Sequence, residues 1–155
     1  MINIMNEIIL NLRMGNYRYI GSGSGRKVFD LENGYVVKIA KNQAGIAQNR
    51  TEYQISSYDN SGLFAEVIQI SADFIFLIME KAKKINNFSY ICRYFNIRNN
   101  RELANLSELQ NIHKKYNLLW SDLFRKSSWG ILDGKPVIID YGYTKAVAER
   151  YYFIS

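Results

Sequence analysis

Cysteine, proline and histidine each occur once in this chain of 155 residues, as Cys92, Pro136 and His113. A single thiol cannot close an internal disulfide, so nothing asks for an oxidising compartment. One cysteine and one histidine also leave no cluster with the spacing of a zinc site. No apolar run approaches the roughly 18 residues of a membrane-spanning helix. The N-terminal stretch MINIMNEIILNLRM lacks the basic start and the small-residue cleavage site of a secretory leader. The expectation from these absences is a cytoplasmic protein with no membrane role. No internal repeat and no low-complexity segment interrupts the chain.

With 48% hydrophobic and 22% charged residues, the chain has the composition of one ordinary globular domain. Its length suffices to bury about two-thirds of the unfolded surface. The net charge of +6 is dispersed in pairs such as Lys83-Lys84, Lys114-Lys115 and Arg125-Lys126. A solvated face accounts for such pairs, and nucleic acid is not an expected partner.

The segment Trp129 to Gly142 organises the reading. Ile131-Leu132 and Val137-Ile138-Ile139 are strand-type runs joined by Asp133-Gly134, a strong signal for a tight hairpin. The hairpin delivers Asp140 to a strand end, where it is either a turn residue or a ligand for a hard cation. Upstream, residues 1–13 space Ile2, Met5, Ile8, Ile9 and Leu12 along one face of an amphipathic helix. Two strand-type runs flank Gly21-Ser22-Gly23-Ser24-Gly25, so these glycines join strand to strand. The Rossmann and P-loop settings, which need a helix directly after the loop, are excluded. Such a loop is either a flexible turn or a set of backbone N–H groups laid against phosphates.

Asn33-Gly34 signals a second hairpin and launches Tyr35–Ala40, in which Val37 and Ile39 share one face and Val36 and Lys38 the other. A helix is expected over 45–59, with Ile46, Tyr53 and Gln54 or Ile55 inward and Glu52 within reach of Lys38. Strands are expected over 64–70 and 74–79, the second buried on both faces. A short helix is expected over 87–96 and a longer one over 100–116. In the longer one Asn99 caps, Glu102 follows three residues later, and Leu103, Leu106, Leu109 and Ile112 line one face. His113 near its end reads as a surface residue. Asp122 and Asp140 then fall on two successive loops.

In that order and spacing, these pieces resemble the protein-kinase fold. GSGSGRKV resembles the Gly-rich loop, with Gly21, Gly23 and Val28 in register and Arg26 where the third glycine usually stands. VVKIA resembles the strand bearing the phosphate-binding lysine, which makes Glu52 the helix partner of Lys38. Met79–Ala82 resembles the adenine-contacting hinge. Trp120-Ser121-Asp122-Leu123 matches the catalytic loop at its aspartate and leucine, and Asp140-Tyr141-Gly142 resembles the metal-binding Asp-Phe-Gly. The loop's usual asparagine falls at Ser127 or Ser128, and 13 residues, 143–155, follow Gly142.

The resemblance implies an α+β fold: a five-stranded antiparallel sheet plus helix as N-lobe (1–80) and a reduced, mainly helical C-lobe (81–155), together a single domain. It implies ATP and Mg²⁺ as cofactors. Gly21, Ser22, Gly23, Ser24, Gly25, Val28, Lys38, Glu52, Glu80 and Ala82 would bind the nucleotide, Asp122 and Lys38 would be catalytic, and Asp140 with Ser127 would hold the metal. The implied activity is transfer of the γ-phosphoryl group to a protein hydroxyl or to the chain itself. The alternative is a pseudokinase that binds or inhibits a protein target, similar to small phage-encoded or bacterial kinase-like proteins.

Overall fold

The computed structural model describes residues 4–152; Ile2, expected on the first helix, lies outside them. Helix α1 (Ile4–Arg13) leads into strands β1 (Arg18–Ser22), β2 (Arg26–Asp30) and β3 (Tyr35–Ala40). Helix α2 (Gln43–Tyr58) follows, then β4 (Val67–Ile70) and β5 (Phe76–Glu80). The five strands form one antiparallel sheet of order β1-β2-β3-β5-β4. Its central strand is β3, and strict alternation there sends side chains into two different cores. Val37 packs with Ile78, Met5 and Ile8 beneath α1, whereas Val36 packs with Leu77, Met79 and Ile55 on the side of α2.

Two strands are shorter than their apolar runs. Phe64 leaves the sheet to make a parallel bridge with Ile138, so the expected strand over 64–70 begins at Val67. Phe74 takes a φ of 62° in a turn whose N–H reaches the Ser71 carbonyl, which delays β5 to Phe76. In α2 the expected inward face is corrected. Tyr53 and Gln54 are exposed, and the buried positions are Ala44, Gly45, Gln48, Asn49, Glu52 and Ile55. Half of that face is polar and Ile55 is its only large apolar residue, so a search for apolar period misses it.

The remaining chain is mainly helical. A two-residue strand β6 (Lys83–Lys84) is followed by α3 (Ser89–Phe95), α4 (Asn100–Ala104), α5 (Ser107–Tyr116) and a single turn α6 (Trp120–Leu123). A 3-10 turn (Lys126–Ser128), β7 (Trp129–Leu132), β8 (Lys135–Ile138) and α7 (Lys145–Tyr152) complete it. The single helix expected over 100–116 is two. Leu106 adopts extended backbone (ψ 127°) between α4 and α5. Leu103 and Ile112 lie about two and a half turns apart, on opposite sides of any continuous helix. The break is what lets Leu103, Leu109 and Ile112 enter one core together. Asn99 caps α4 as expected, accepting from the Glu102 N–H at 3.0 Å.

β6, β7 and β8 form a second, three-stranded sheet. At its hairpin, Asp133 and Gly134 both have positive φ (52° and 77°), the geometry that Asp-Gly supplies in a two-residue turn. Helix α7 lies against α2. No helix of the described residues is long and apolar enough to cross a membrane.

Candidate functional site

The β1–β2 hairpin carries the glycines. Its tip closes through the Gly23 N–H on the Arg26 carbonyl (2.9 Å) and rests at the start of α2, where the Gly25 carbonyl accepts from the N–H of Lys41, just before the helix (2.8 Å). A Cβ on Gly45 would run into that carbonyl, so two backbones meet where position 45 cannot carry a side chain and position 25 leaves little room for one. Ser24 Oγ donates to the Tyr152 hydroxyl (2.9 Å), and Gln48 Nε2 donates to the same oxygen (2.9 Å). Ser22 Oγ accepts from Lys41 Nζ (3.1 Å). The loop is thus tied to both α2 and α7.

Beneath it lies a buried ionic cluster. Lys38 projects from β3 on the α2 side of the sheet, and Glu52 from the buried face of α2; their Nζ and Oε1 are 2.9 Å apart. Lys38 Nζ also donates to the Ile139 carbonyl. Arg26, which opens β2, forks onto Glu52 through Nη1–Oε1 (2.7 Å) and Nη2–Oε2 (2.9 Å). The same Nη2 reaches Asp140 Oδ1 at 2.9 Å, and Nη1 reaches Asn49 Oδ1 at 3.1 Å. Glu52 Oε2 further accepts the backbone N–H groups of Tyr141 (2.9 Å) and Gly142 (3.0 Å). Tyr141 is buried, with its hydroxyl on the Ala65 carbonyl and its ring against Phe64. Gly142 packs so closely on Gln48 that a Cβ would come within 2.5 Å of its carbonyl oxygen.

The two ends of the Lys38–Glu52 pair are affected differently. Burial alone would push the Glu52 carboxyl up, but Arg26 and Lys38 together hold it down at about 2. Lys38 shares Glu52 with a second cation, and burial, aided by Arg26, pulls its ammonium below the ordinary lysine range despite Glu52 and the more distant Asp140. Arg26 faces two anions, which outweigh its burial and raise it. Glu52 is therefore firmly ionised, and of the two cations Arg26 is the one held in charged form more strongly.

Asp140 follows β8 with its side chain half-exposed. Asp122, on α6, is nearly buried; burial first and the nearby Asp140 second push its carboxyl up, while Arg125 at 3.3 Å acts against both. Trp120, where the resemblance would have a histidine, stacks on His113 with ring centroids 3.9 Å apart. His113 is thus half-buried against an aromatic ring, and that burial lowers it. Ser127 is exposed on the 3-10 turn, one residue before the buried Ser128. Val28 is half-buried directly opposite Lys38 in register. Glu80 closes β5 with its carboxylate on the Glu66 N–H (2.9 Å). Ala82 lies under Gly130 of β7, so close that any Cβ there would meet it at 2.6 Å.

Among the described residues, no three His, Cys, Asp or Glu side chains converge as a self-sufficient metal site. Asp140, partly open, and Asp122, near enough to be titrated by it, are the available oxygen donors. One or two carboxylates completed by phosphate oxygens and water suit Mg²⁺, so this donor set fits that ion in company with a nucleotide. Two shallow hollows, of about 610 and 430 Å³, lie elsewhere: one between α2, Tyr116 and the start of α7, the other beside α3 and α5. The charged cluster, and neither hollow, holds the chemistry.

Arg26 is the member of the cluster that the glycine-loop pattern leaves out. Parity is its one signal in the sequence: it shares the strand face of Val28, which pairs with Lys38, so its side chain lies on the same side of the sheet as Lys38.

No family model matches the chain, and no curated protein matches it. Among solved structures it is similar to the streptomycin-ATP ternary complex of APH(2'')-IIa, at 17% identity and a TM-score of 0.49, over 92% of this chain and 71% of that one. It is similar also to the gentamicin complex of APH(2'')-IIa, at 18% identity and a TM-score of 0.49, over 92% of this chain and 71% of that one. A third is the ADP-bound aminoglycoside phosphotransferase APH(2'')-Ib, at 17% identity and a TM-score of 0.49, over 91% of this chain and 71% of that one. The strand order, the helix between β3 and β4, and the lysine–glutamate pair joining β3 to that helix make the fold α+β and protein-kinase-like.

Proposed function

We propose that this chain binds ATP with Mg²⁺ beneath the glycine hairpin and transfers the γ-phosphoryl group to a hydroxyl of a protein or of the chain itself. The observation that carries the reading is the convergence of Lys38, Glu52 and Asp140, from three separate elements, under Gly21–Gly25. Phosphoryl transfer needs positioned phosphates and neutralised charge more than covalent chemistry from the protein. In this reading Lys38, braced by Glu52, binds the α- and β-phosphates. The backbone of Gly21, Ser22, Gly23, Ser24 and Gly25 covers them, with Val28, Glu80 and Ala82 around the base. Asp140, with Ser127, holds Mg²⁺, which when bound neutralises phosphate charge. Asp122 orients the acceptor hydroxyl and takes its proton as the oxygen bonds to the γ-phosphorus and the bond to ADP breaks. Its raised carboxyl suits that base role better than an ordinary aspartate.

A second reading, a pseudokinase that binds a protein target, is favoured by one feature. Lys38 and all the terminal nitrogens of Arg26 already have partners inside the protein. Such a cluster is closed without any ligand.

Thermal unfolding separates the two. Nucleotide at about a hundred times its Kd adds about 2.7 kcal/mol, a rise in Tm of roughly 5–10 °C for a domain of this size. No rise with any nucleotide removes the first reading. Where a rise is seen, γ-labelled ATP decides catalysis: Asp122→Ala is expected to abolish transfer, and label persisting in that variant refutes the base assignment.

A further inference from the structure

We infer that Arg26 is a resident counter-ion at Asp140 that competes with a divalent cation for that carboxylate. The guanidinium is buried, and its contacts divide unequally. Both terminal nitrogens grip Glu52, Nη1 also holds Asn49, and only one N–H of Nη2 goes to Asp140. Asp140 can therefore be released while the fork on Glu52 stays closed. Asp140 is also the only member of the cluster with solvent access, its side chain 50% exposed, so a cation arriving from water meets it first.

The charges explain why Arg26 matters there. Lys38 and Arg26 balance Glu52 and Asp140, so the cluster is neutral before any ligand arrives. With glycine at position 26 the same group would carry a net negative charge and would attract a dication strongly; Asp122 nearby has its own cation in Arg125. Arg26 supplies that neutralisation covalently. A dication gains full access to Asp140 only by displacing a guanidinium 2.9 Å from the same carboxylate. A brace between β2 and α2 alone would need only the contacts to Glu52 and Asn49, and would leave metal affinity untouched.

The test uses the intact chain without nucleotide and Mn²⁺ as the probe, with free Mn²⁺ read by electron paramagnetic resonance. Arg26→Gln is expected to bind Mn²⁺ at least tenfold more tightly than wild type, and the double variant Arg26→Gln/Asp140→Asn to lose that gain. Unchanged or weaker binding in Arg26→Gln, or a gain that survives in the double variant, overturns the inference. Arg26→Lys keeps it testable should Arg26→Gln fail to fold. That variant retains a cation for Glu52 but has no planar fork to hold Glu52 and Asp140 together, so it is expected to bind Mn²⁺ more tightly than wild type; unchanged or weaker binding overturns the inference. Only the relevance to nucleotide rests on the proposed function. A chain that shows no Tm rise with ATP defeats that function, while the Mn²⁺ comparison still decides the role of Arg26.

Discussion

Replacing Glu52 by glutamine tests the centre of the structure with almost no change of shape. Glu52 is wholly buried, and every group around its carboxylate is a donor: Lys38 Nζ, two nitrogens of Arg26, and the N–H groups of Tyr141 and Gly142. An amide turns an NH₂ towards donors whichever way it is placed, so some lose their acceptor, and two buried cations lose their shared anion. Breaking a buried pair by removing one partner costs about 3–5 kcal/mol, which corresponds to a fall in Tm of roughly 6–20 °C. The acid limb gives an independent measure. A carboxyl held at about 2 in the fold against 4.5 in the unfolded chain is worth about 3 kcal/mol. Because the folded value is depressed, that stability is complete above about pH 5 and disappears as pH falls through the folded value near 2. The assay is urea unfolding of both proteins at pH 7 and at steps down to pH 3. Glu52→Gln is expected to lower the midpoint without changing m and to flatten the acid limb. A loss below about 1.5 kcal/mol with the acid limb intact would refute the reasoning.

Three further outcomes follow from the same geometry. Lys38→Met leaves Glu52 with Arg26 and both backbone donors, so it is expected to cost less than half as much stability as Glu52→Gln while abolishing any ATP-dependent rise in Tm; calorimetry of the two variants side by side reads both. Gly45→Ala drives a methyl into the Gly25 carbonyl, backbone against backbone, and is expected to cost about 2–3 kcal/mol in urea unfolding. Tyr152→Phe removes the oxygen that holds both Ser24 and Gln48, with an expected loss of about 1 kcal/mol and faster hydrogen exchange at the hairpin tip.

Local chemistry wrote much of this fold directly into the sequence. Alternation in Tyr35–Ala40 announced that Val37 and Lys38 face opposite sides. Asp133-Gly134 supplies both positive-φ residues of its turn, and the four-residue β2–β3 connection closes through Gly34 at φ 93° with Glu32, in place of the expected Asn33, as its other positive-φ residue. The separate positions of Lys38, Glu52 and Asp140 could be named from motif order alone. Other features depended on neighbours distant in the chain. Leucines at intervals of three read as one helix, yet burying them together required a break at Leu106. The inward face of α2 is half polar and so invisible to hydrophobic period; it is buried because Arg26, Lys38 and the Tyr141–Gly142 backbone supply its partners. The sequence alone determined the succession of the five sheet strands, the Asp133-Gly134 turn and the ionisable groups the chain carries, but not the starts of β4 and β5 or the break between α4 and α5. Only the tertiary structure decided that Arg26 would sit between Glu52 and Asp140, because an ionic contact is set by distance in space and strand parity gives only a direction.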